Sequence, residues 1–165
     1  MLYVVAWPLL AEADDTALRR LRARYHPGEA ALIGPHFTLV FGAADGEADR
    51  LAGALDALEA RPFWFMLDRL VRHDSPPPGR AAYLFAVPDD GAAELRDLHD
   101  GLGPATVPQT FEPHLTLGLF EGAAEAEQVA RIVQRQHLPM RGRIEELSLL
   151  RRSGEGLETL KTRIL

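Results

Sequence analysis

Residues 35–41 read Pro-His-Phe-Thr-Leu-Val-Phe, and residues 113–120 read Pro-His-Leu-Thr-Leu-Gly-Leu-Phe. The pattern Pro-His-x-Thr-Leu therefore occurs twice, each time at the start of an apolar run, and its histidines, His36 and His114, are separated by nearly half the chain. One such match is easily produced by chance, but two matches with the same flanking residues are not. The repeat indicates an internal duplication in which each half of the chain supplies one equivalent strand.

The spacing within each motif places two polar side chains on one face of a strand. Side chains alternate along a strand, so His36 and Thr38 point the same way, as do His114 and Thr116. One imidazole can take a proton from an attacking oxygen while the other gives one to a leaving oxygen, because an ordinary histidine titrates near neutrality. The two threonine hydroxyls can donate hydrogen bonds to the non-bridging oxygens of a phosphate. The pattern predicts phosphodiester chemistry with no metal or other cofactor.

Two other interpretations of the motif remain open. A single histidine in a strand is more often a structural residue than a catalytic one, and threonine is a good strand former in any context. A metal site is the second alternative, although His-x-Thr supplies only one good metal ligand per strand. The duplication of the whole motif is what favours catalysis over both.

The rest of the chain predicts an α+β fold. Apolar runs predict strands at 2–7, 36–41, 63–71, 81–87 and 114–120, followed by a terminal hairpin of strands 142–151 and 157–165. Leucines and valines at helical spacing predict helices at 14–25, 46–60, 90–102 and 123–137. This interleaving predicts mostly antiparallel sheets with flanking helices. No Ser/Gly linker divides the chain, so we expect one domain over residues 1–165 with two packed lobes.

Composition bounds the compartment and the partners. Apolar residues make up 47% of the chain and cysteine is absent, which excludes disulfides, thiolate metal sites and cysteine nucleophiles. No apolar run approaches the ~18 residues of a membrane span, and the start lacks a basic leader, so we expect a cytoplasmic monomer with no membrane contact. Eighteen basic residues against 24 acidic ones give a net charge of −6, which argues against binding duplex DNA.

On these motifs the chain resembles the 2H phosphoesterases, and within them the bacterial branch of 2′–5′ RNA ligases and RNA 2′,3′-cyclic phosphodiesterases. The resemblance implies a bilobal fold with two pseudo-symmetric, mostly antiparallel sheets around a central cleft, and one motif from each lobe. It implies metal-independent hydrolysis or transesterification of 2′,3′-cyclic phosphates or 2′–5′ linkages in RNA ends or small nucleotides. A non-catalytic nucleotide- or RNA-binding protein on the same scaffold is the alternative.

The sequence departs from that family after the second motif, where many RNA-acting members have an arginine. This chain has Gly118-Leu119-Phe120 there, which puts a long RNA substrate in doubt. Phe120 shares the pleat face of His114 by strict alternation, and it either packs in the core or stacks on a base, which makes it a candidate substrate-binding residue. The candidate substitutes for the missing cation are Arg80, Arg151 and Arg152.

Two smaller expectations concern packing. Gly118 is expected to leave room for a ligand on the face of the second motif. Trp7 and Trp64, the two tryptophans of the chain, are expected to pack in the core.

Overall fold

The computed structural model describes residues 1–75, 81–103, 111–154 and 156–165. It places a strand or helix at each predicted position and adds one short helix, α2, which begins at Pro27. The elements in chain order are β1 (Leu2–Leu10), α1 (Glu12–Tyr25), α2 (Pro27–Leu32), β2 (Phe37–Ala43), α3 (Ala48–Ala57), β3 (Phe63–Asp74), β4 (Ala82–Pro88), α4 (Ala92–Leu102), β5 (Leu115–Phe120), α5 (Ala123–Gln136), β6 (Met140–Ser153) and β7 (Gly156–Ile164). Within these described residues, no helix has the length and apolar character needed to cross a membrane.

The strands form an antiparallel sheet in the order β2-β1-β6-β3-β4-β5, with β7 paired to β6. This confirms the predicted α+β class and the antiparallel pairing. The two expected sheets are joined where β3 pairs with β6, so that hydrogen bonding continues from one half of the molecule into the other. The two motif strands, β2 and β5, are the opposite ends of this path.

The two halves of the sheet are equivalent strand by strand: β2 corresponds to β5, β1 to β4 and β6 to β3. The register shows the equivalence at the motifs themselves. Thr38 pairs with Val5 while Val40 pairs with Val4, which leaves Leu39 as an extra residue. Thr116 pairs with Phe85 while Gly118 pairs with Leu84, which leaves Leu117 as an extra residue. Each motif strand therefore bulges at the leucine that follows its threonine.

One face of the sheet is covered by the helices and the other is open. The main hydrophobic core joins sheet residues such as Leu2 and Leu147 to helix residues such as Leu18, Leu55 and Leu95. A second, small cluster on the open face is built on Val5, Ile33 and Leu150. We call these the helix-covered face and the open face.

The sheet bends until its two ends approach each other. The edge strand β2 contacts the opposite edge strand β5. Phe37 of β2 also packs edge-to-face against Phe65 of the central strand β3, with ring centroids 5.2 Å apart. In a flat sheet three strand spacings of about 4.8 Å would separate those two strands. The bend brings the two His-x-Thr motifs toward one place.

Helices cross from each half to the motif strand of the other: α1 packs on β5, and α4 packs on β2. A glycine permits the first of these contacts. A Cβ on Gly118 would lie 2.8 Å from the Cβ of Tyr25 on α1 and 2.8 Å from the Phe120 ring. The expectation that Gly118 leaves room for a ligand is wrong, because the space belongs to α1 packing on the helix-covered face.

Candidate active site

The two motif histidines are held in the same way. Nδ1 of His36 lies 2.8 Å from the carbonyl oxygen of Gly34, and Nδ1 of His114 lies 2.8 Å from the carbonyl oxygen of Glu112. In each case the carbonyl belongs to the residue before the motif proline, and proline supplies no competing backbone N–H. The Pro-His sequence therefore has a local structural role. It forms a short turn in which the imidazole folds back onto the carbonyl two residues before it, and this contact fixes the orientation of the ring.

These hydrogen bonds fix the tautomer of both imidazoles. A carbonyl oxygen can only accept, so Nδ1 carries the proton in His36 and in His114. In the neutral ring Nε2 is then the free, basic nitrogen. Both histidines thus present the same atom as a proton acceptor when neutral and as a proton donor when charged.

Aromatic side chains of the neighbouring strands orient both rings. Trp7 of β1 meets His36 edge-to-face at a centroid distance of 6.2 Å, and its indole N–H donates to Oγ of Ser148 at 2.9 Å. Phe85 of β4 stacks on His114 with centroids 3.9 Å apart. The expectation that Trp7 packs in the core is therefore only partly right, because Trp7 lies on the open face beside the first motif.

Thr38 and Thr116 lie on the open face of their strands. Cross-strand partners share a face, and Thr38 pairs with Val5 of the open-face cluster while Thr116 pairs with Phe85. Both threonine side chains are half-buried. The structure therefore places one imidazole and one hydroxyl from each half on the open face, as the motif spacing predicted.

Arg22 of α1 is a buried cation between the two motifs. Its side chain is 1% exposed. Nη1 donates to the carbonyl oxygen of Thr116 at 2.6 Å, and Nη2 donates to the carbonyl oxygen of Ile33 at 3.1 Å. Burial lowers the pKa of this guanidinium. Arg22 therefore joins the second motif to the segment that leads into the first.

His99 of α4 makes the complementary connection in the other half. It is 3% exposed, and its Nδ1 donates to the carbonyl oxygen of Leu39 at 2.7 Å. The ring also stacks on Phe111 with centroids 4.0 Å apart. Each half thus sends a helix side chain to the backbone of the other half's motif strand.

The surroundings make both motif histidines weak bases. Burial lowers the pKa of His36 to about 4, and the positive charges of Arg22 and His114 add to this effect. The Gly34 carbonyl and Glu29 act in the opposite direction. Burial also lowers the pKa of His114, with a smaller contribution from His73 against the opposing Glu112 carbonyl. Both imidazoles are neutral at pH 7 in the free protein.

Phe120 does not lie where strict alternation predicted. The bulge at Leu117 shifts the pleat by one residue, so Phe120 pairs with buried Ala82 and is only 4% exposed. Its ring packs against Tyr25 of α1 with centroids 5.3 Å apart. The structure therefore shows Phe120 packed in the core, and the alternative that it stacks on a base is wrong.

The same kind of bulge exposes an aromatic side chain in the other half. Phe41 is 76% exposed and packs edge-to-face on Tyr3 at a centroid distance of 5.3 Å. It lies three residues beyond Thr38 in the first motif strand. The motif repeat carried the necessary signal, since Phe41 occupies the position equivalent to Leu119, but only knowledge of the bulge assigns it to the open face.

The three arginines expected to replace the missing cation have different outcomes. Arg80 lies outside the described residues. Arg151 pairs with Leu2 on the helix-covered face and forms ion pairs with Asp45 and Glu158 at 3.8 and 3.4 Å, so it is not directed toward the histidines.

Arg152 is exposed near the far end of β6. It lies four residues beyond Ser148, which shares the level of Thr38, and this corresponds to about 13 Å along the strand. The structure therefore does not bring Arg151 or Arg152 to the motifs. Among the described residues, Arg22 is a cation that does lie beside the motifs, on the helix predicted at 14–25.

An antiparallel scaffold that presents one His-x-Thr motif from each of two equivalent halves is the arrangement expected of a 2H phosphoesterase. A family model for the 2′-5′ RNA ligase superfamily matches residues 9–156. The chain belongs to this superfamily, which confirms the resemblance drawn from the motifs. A search of curated protein sequences gave no match.

Solved structures support the fold. E. coli LigT complexed with 3′-AMP is similar with a TM-score of 0.62 and 18% identity, over 99% of this chain and 97% of that one. Usb1 of Kluyveromyces marxianus is similar with a TM-score of 0.56 and 12% identity, over 96% of this chain and 97% of that one. At these identities the likeness establishes a shared architecture.

Proposed function

We propose that the chain is a metal-independent phosphoesterase that acts on 2′,3′-cyclic phosphates or 2′–5′ phosphodiesters of RNA ends or small nucleotides. The observation that carries the proposal is the identical anchoring of His36 and His114 through Nδ1, which leaves Nε2 of each ring free. Two equivalent, oriented imidazoles are what concerted acid–base catalysis at phosphorus requires. Membership of the superfamily and the nucleotide-bound LigT structure agree with this substrate class.

In hydrolysis of a cyclic phosphate, Nε2 of one histidine removes a proton from water. The water oxygen then forms a bond to phosphorus while the bond to one ribose oxygen breaks. The Nε2–H of the other histidine delivers its proton to that leaving oxygen. Thr38 and Thr116 donate hydrogen bonds to the non-bridging oxygens, where negative charge grows in the transition state.

The surroundings favour His36 as the base in this direction. Its pKa of about 4 keeps it neutral over a wide pH range, and nearby Arg22 reinforces that state. His114 then acts as the acid. A phosphate anion bound between the rings raises the pKa of both, because negative charge stabilises an imidazolium. The roles exchange when the reaction runs toward ligation.

Two further features fit the proposal. One continuous core contains residues from both halves, which supports treating residues 1–165 as one catalytic domain. The exposed Phe41, packed on Tyr3, offers an aromatic surface for a base of the substrate beside the first motif.

The alternative is a nucleotide- or RNA-binding protein without catalysis. A turnover assay distinguishes it from the proposed enzyme. The experiment offers 2′,3′-cyclic mononucleotides, 2′–5′ dinucleotides and RNA ending in a cyclic phosphate to the protein in excess EDTA. We expect product from at least one class, at a rate that the chelator does not change. Saturable binding with no product supports the alternative, and loss of activity in EDTA supports a metal-dependent hydrolase.

A further inference from the structure

An aromatic side chain with two guanidinium groups over its ring lies on the central strands, outside the motifs. Trp64 of β3 is 55% exposed, so the expectation that it packs in the core is wrong. The guanidinium carbons of Arg141 and Arg143 lie 4.7 and 5.8 Å from the centroid of its ring. Phe65, its neighbour in sequence, occupies the helix-covered face instead.

The strand register places this cluster on the same face as the histidines. Val5, Trp7 and Leu9 share the open face of β1, and Leu9 pairs with Arg143, which in turn pairs with Trp64. His36 lies beside Trp7. The row that contains Trp64 therefore lies on the face that carries His36, two residues further along the strands and three strands away in the sheet order.

The chemistry of the cluster matches a single-stranded nucleic acid. An indole ring and a guanidinium plane can each stack on a base. A guanidinium group can also donate two hydrogen bonds at once to two oxygens of a phosphate. Arg143 forms an ion pair with Glu145 at 2.8 Å, whereas Arg141 has no carboxylate within 4 Å among the described residues. Since the chain carries a net charge of −6, this is a local concentration of positive charge on an acidic protein. Cation–π attraction accounts for the position of the two arginines over Trp64. It does not account for the exposure of two large apolar side chains, because the indole and Leu9, which is 60% exposed, both remain in water.

We propose that Trp64, Arg141 and Arg143 form a second subsite, which binds the single-stranded RNA segment that precedes the terminal phosphate. The inference rests on the proposed function, because the motifs must hold that phosphate. Because the subsite lies two residues further along the strands and three strands from His36 in the sheet order, it is placed for a nucleotide upstream of the one whose phosphate the motifs hold. It replaces the missing arginine after the second motif with a cationic surface in the middle of the sheet.

The test measures binding and turnover separately. Binding uses single-stranded RNA from one to eight nucleotides that ends in a 3′-phosphate, and turnover uses the same lengths ending in a 2′,3′-cyclic phosphate. The variants are Trp64→Ala, Trp64→Phe and Arg141→Gln combined with Arg143→Gln. The matched control is Arg131→Gln combined with Arg135→Gln, which removes the same charge from the exposed side of α5.

We expect affinity of the intact protein to rise with length, and Trp64→Ala and the double arginine variant to bind the octamer about 5- to 100-fold more weakly. Trp64→Phe should retain most of the octamer affinity that Trp64→Ala loses. The salt slope of octamer binding should fall by about 1.4 in the arginine pair, as expected for two phosphate contacts on a single strand. Turnover of the cyclic mononucleotide should be the same in every variant.

Octamer binding that is equally strong in the variants and in the control pair would overturn the subsite. A concentration-dependent dimer of the intact protein that is lost in Trp64→Ala would also overturn the subsite, because this face would then bind a second copy of the chain. If no cyclic substrate of any length is turned over while octamer binding still depends on Trp64, the proposed catalytic function fails and the binding surface stands.

Discussion

His36 and His114 show how much chemistry two backbone carbonyls can determine. Hydrogen bonds of 2.8 Å to Gly34 and Glu112 fix the protonated nitrogen of each ring. Burial then sets the charge, because a partly desolvated imidazolium loses hydration that the carbonyl only partly replaces. Sequence supplies the residue types and their face, but the carbonyl partners and the burial come from the turn and the surrounding strands.

The pKa directions predict an acidic optimum for kcat/KM. His36 as the base is neutral above a pKa of about 4, and His114 as the acid is protonated only below its own lowered pKa, which lies under the ordinary 6.5. The free enzyme therefore has both correct states between these limits, and kcat/KM should fall as the pH rises through the lowered pKa of His114, so that the decline begins below pH 6.5. Initial rates on a 2′,3′-cyclic nucleotide from pH 4 to 9 test this. A plateau of kcat/KM that extends to pH 8 would contradict the assignment.

At the level of strands and helices, the sequence predicted the type and approximate place of nearly every element. The apolar run of β1 and the helical spacing of leucines in α3 and α4 are strong local signals. The bulges at Leu39 and Leu117 have no such signal, since their residues are ordinary strand formers. Because one extra residue reverses the faces beyond it, Phe120 was assigned to the wrong face and Phe41 was overlooked.

Trp64 and Arg22 illustrate the same limit. Trp64 was expected to pack in the core, yet the pairing of β3 with β6 leaves it on the open face. Arg22 lies on a helix whose other arginines are mostly exposed, and only the crossing of α1 onto β5 buries it. Contacts between distant elements decide both cases, and no pattern within one element reveals them.

Arg22 carries a prediction about this helix crossing. Arg22→Met removes a positive charge that lowers the pKa of His36, so the acid limb of the kcat/KM profile should move to higher pH. It also leaves the Thr116 and Ile33 carbonyls without their donor, and kcat should fall by about 10- to 100-fold as the second motif shifts. Rates across the same pH range, together with thermal melting, measure both effects.

Arg22→Lys is the matched control, because it retains the charge with poorer hydrogen-bond geometry. It should keep the position of the acid limb while losing part of kcat. An Arg22→Met enzyme with an unchanged pH profile would show that the residue is only structural.

For the whole molecule, the buried histidines link stability to pH. The pKa of His36 is about 4 in the folded protein against an ordinary 6.5, so between these values the unfolded chain binds more protons. Its contribution is fully present above pH 6.5 and is lost as the pH falls toward 4. The magnitude is on the order of 3 kcal/mol for this group, and His114 acts in the same direction.

Urea unfolding at pH 7 and pH 4.5 measures this linkage. The intact protein should lose more stability between the two pH values than His36→Gln does, because the variant has no buried imidazole to titrate. The same substitution at His137, at the end of α5 and away from the motifs, serves as the control and should behave like the intact protein. Equal pH dependence in all three proteins would refute the burial of a neutral His36.

The two halves of the molecule are tied together by Arg22, His99 and a sheet that bends until β2 meets β5. The central claim is that this architecture brings two histidines to act on one phosphate. Turnover of a 2′,3′-cyclic nucleotide in EDTA by His36→Ala, His114→Ala and the double variant tests it most directly, with melting curves to confirm folding. We expect each single variant to lose about 10²–10⁴-fold in kcat, and the double variant to be little worse, since the pair acts as a unit. Full activity in either folded single variant would contradict the account.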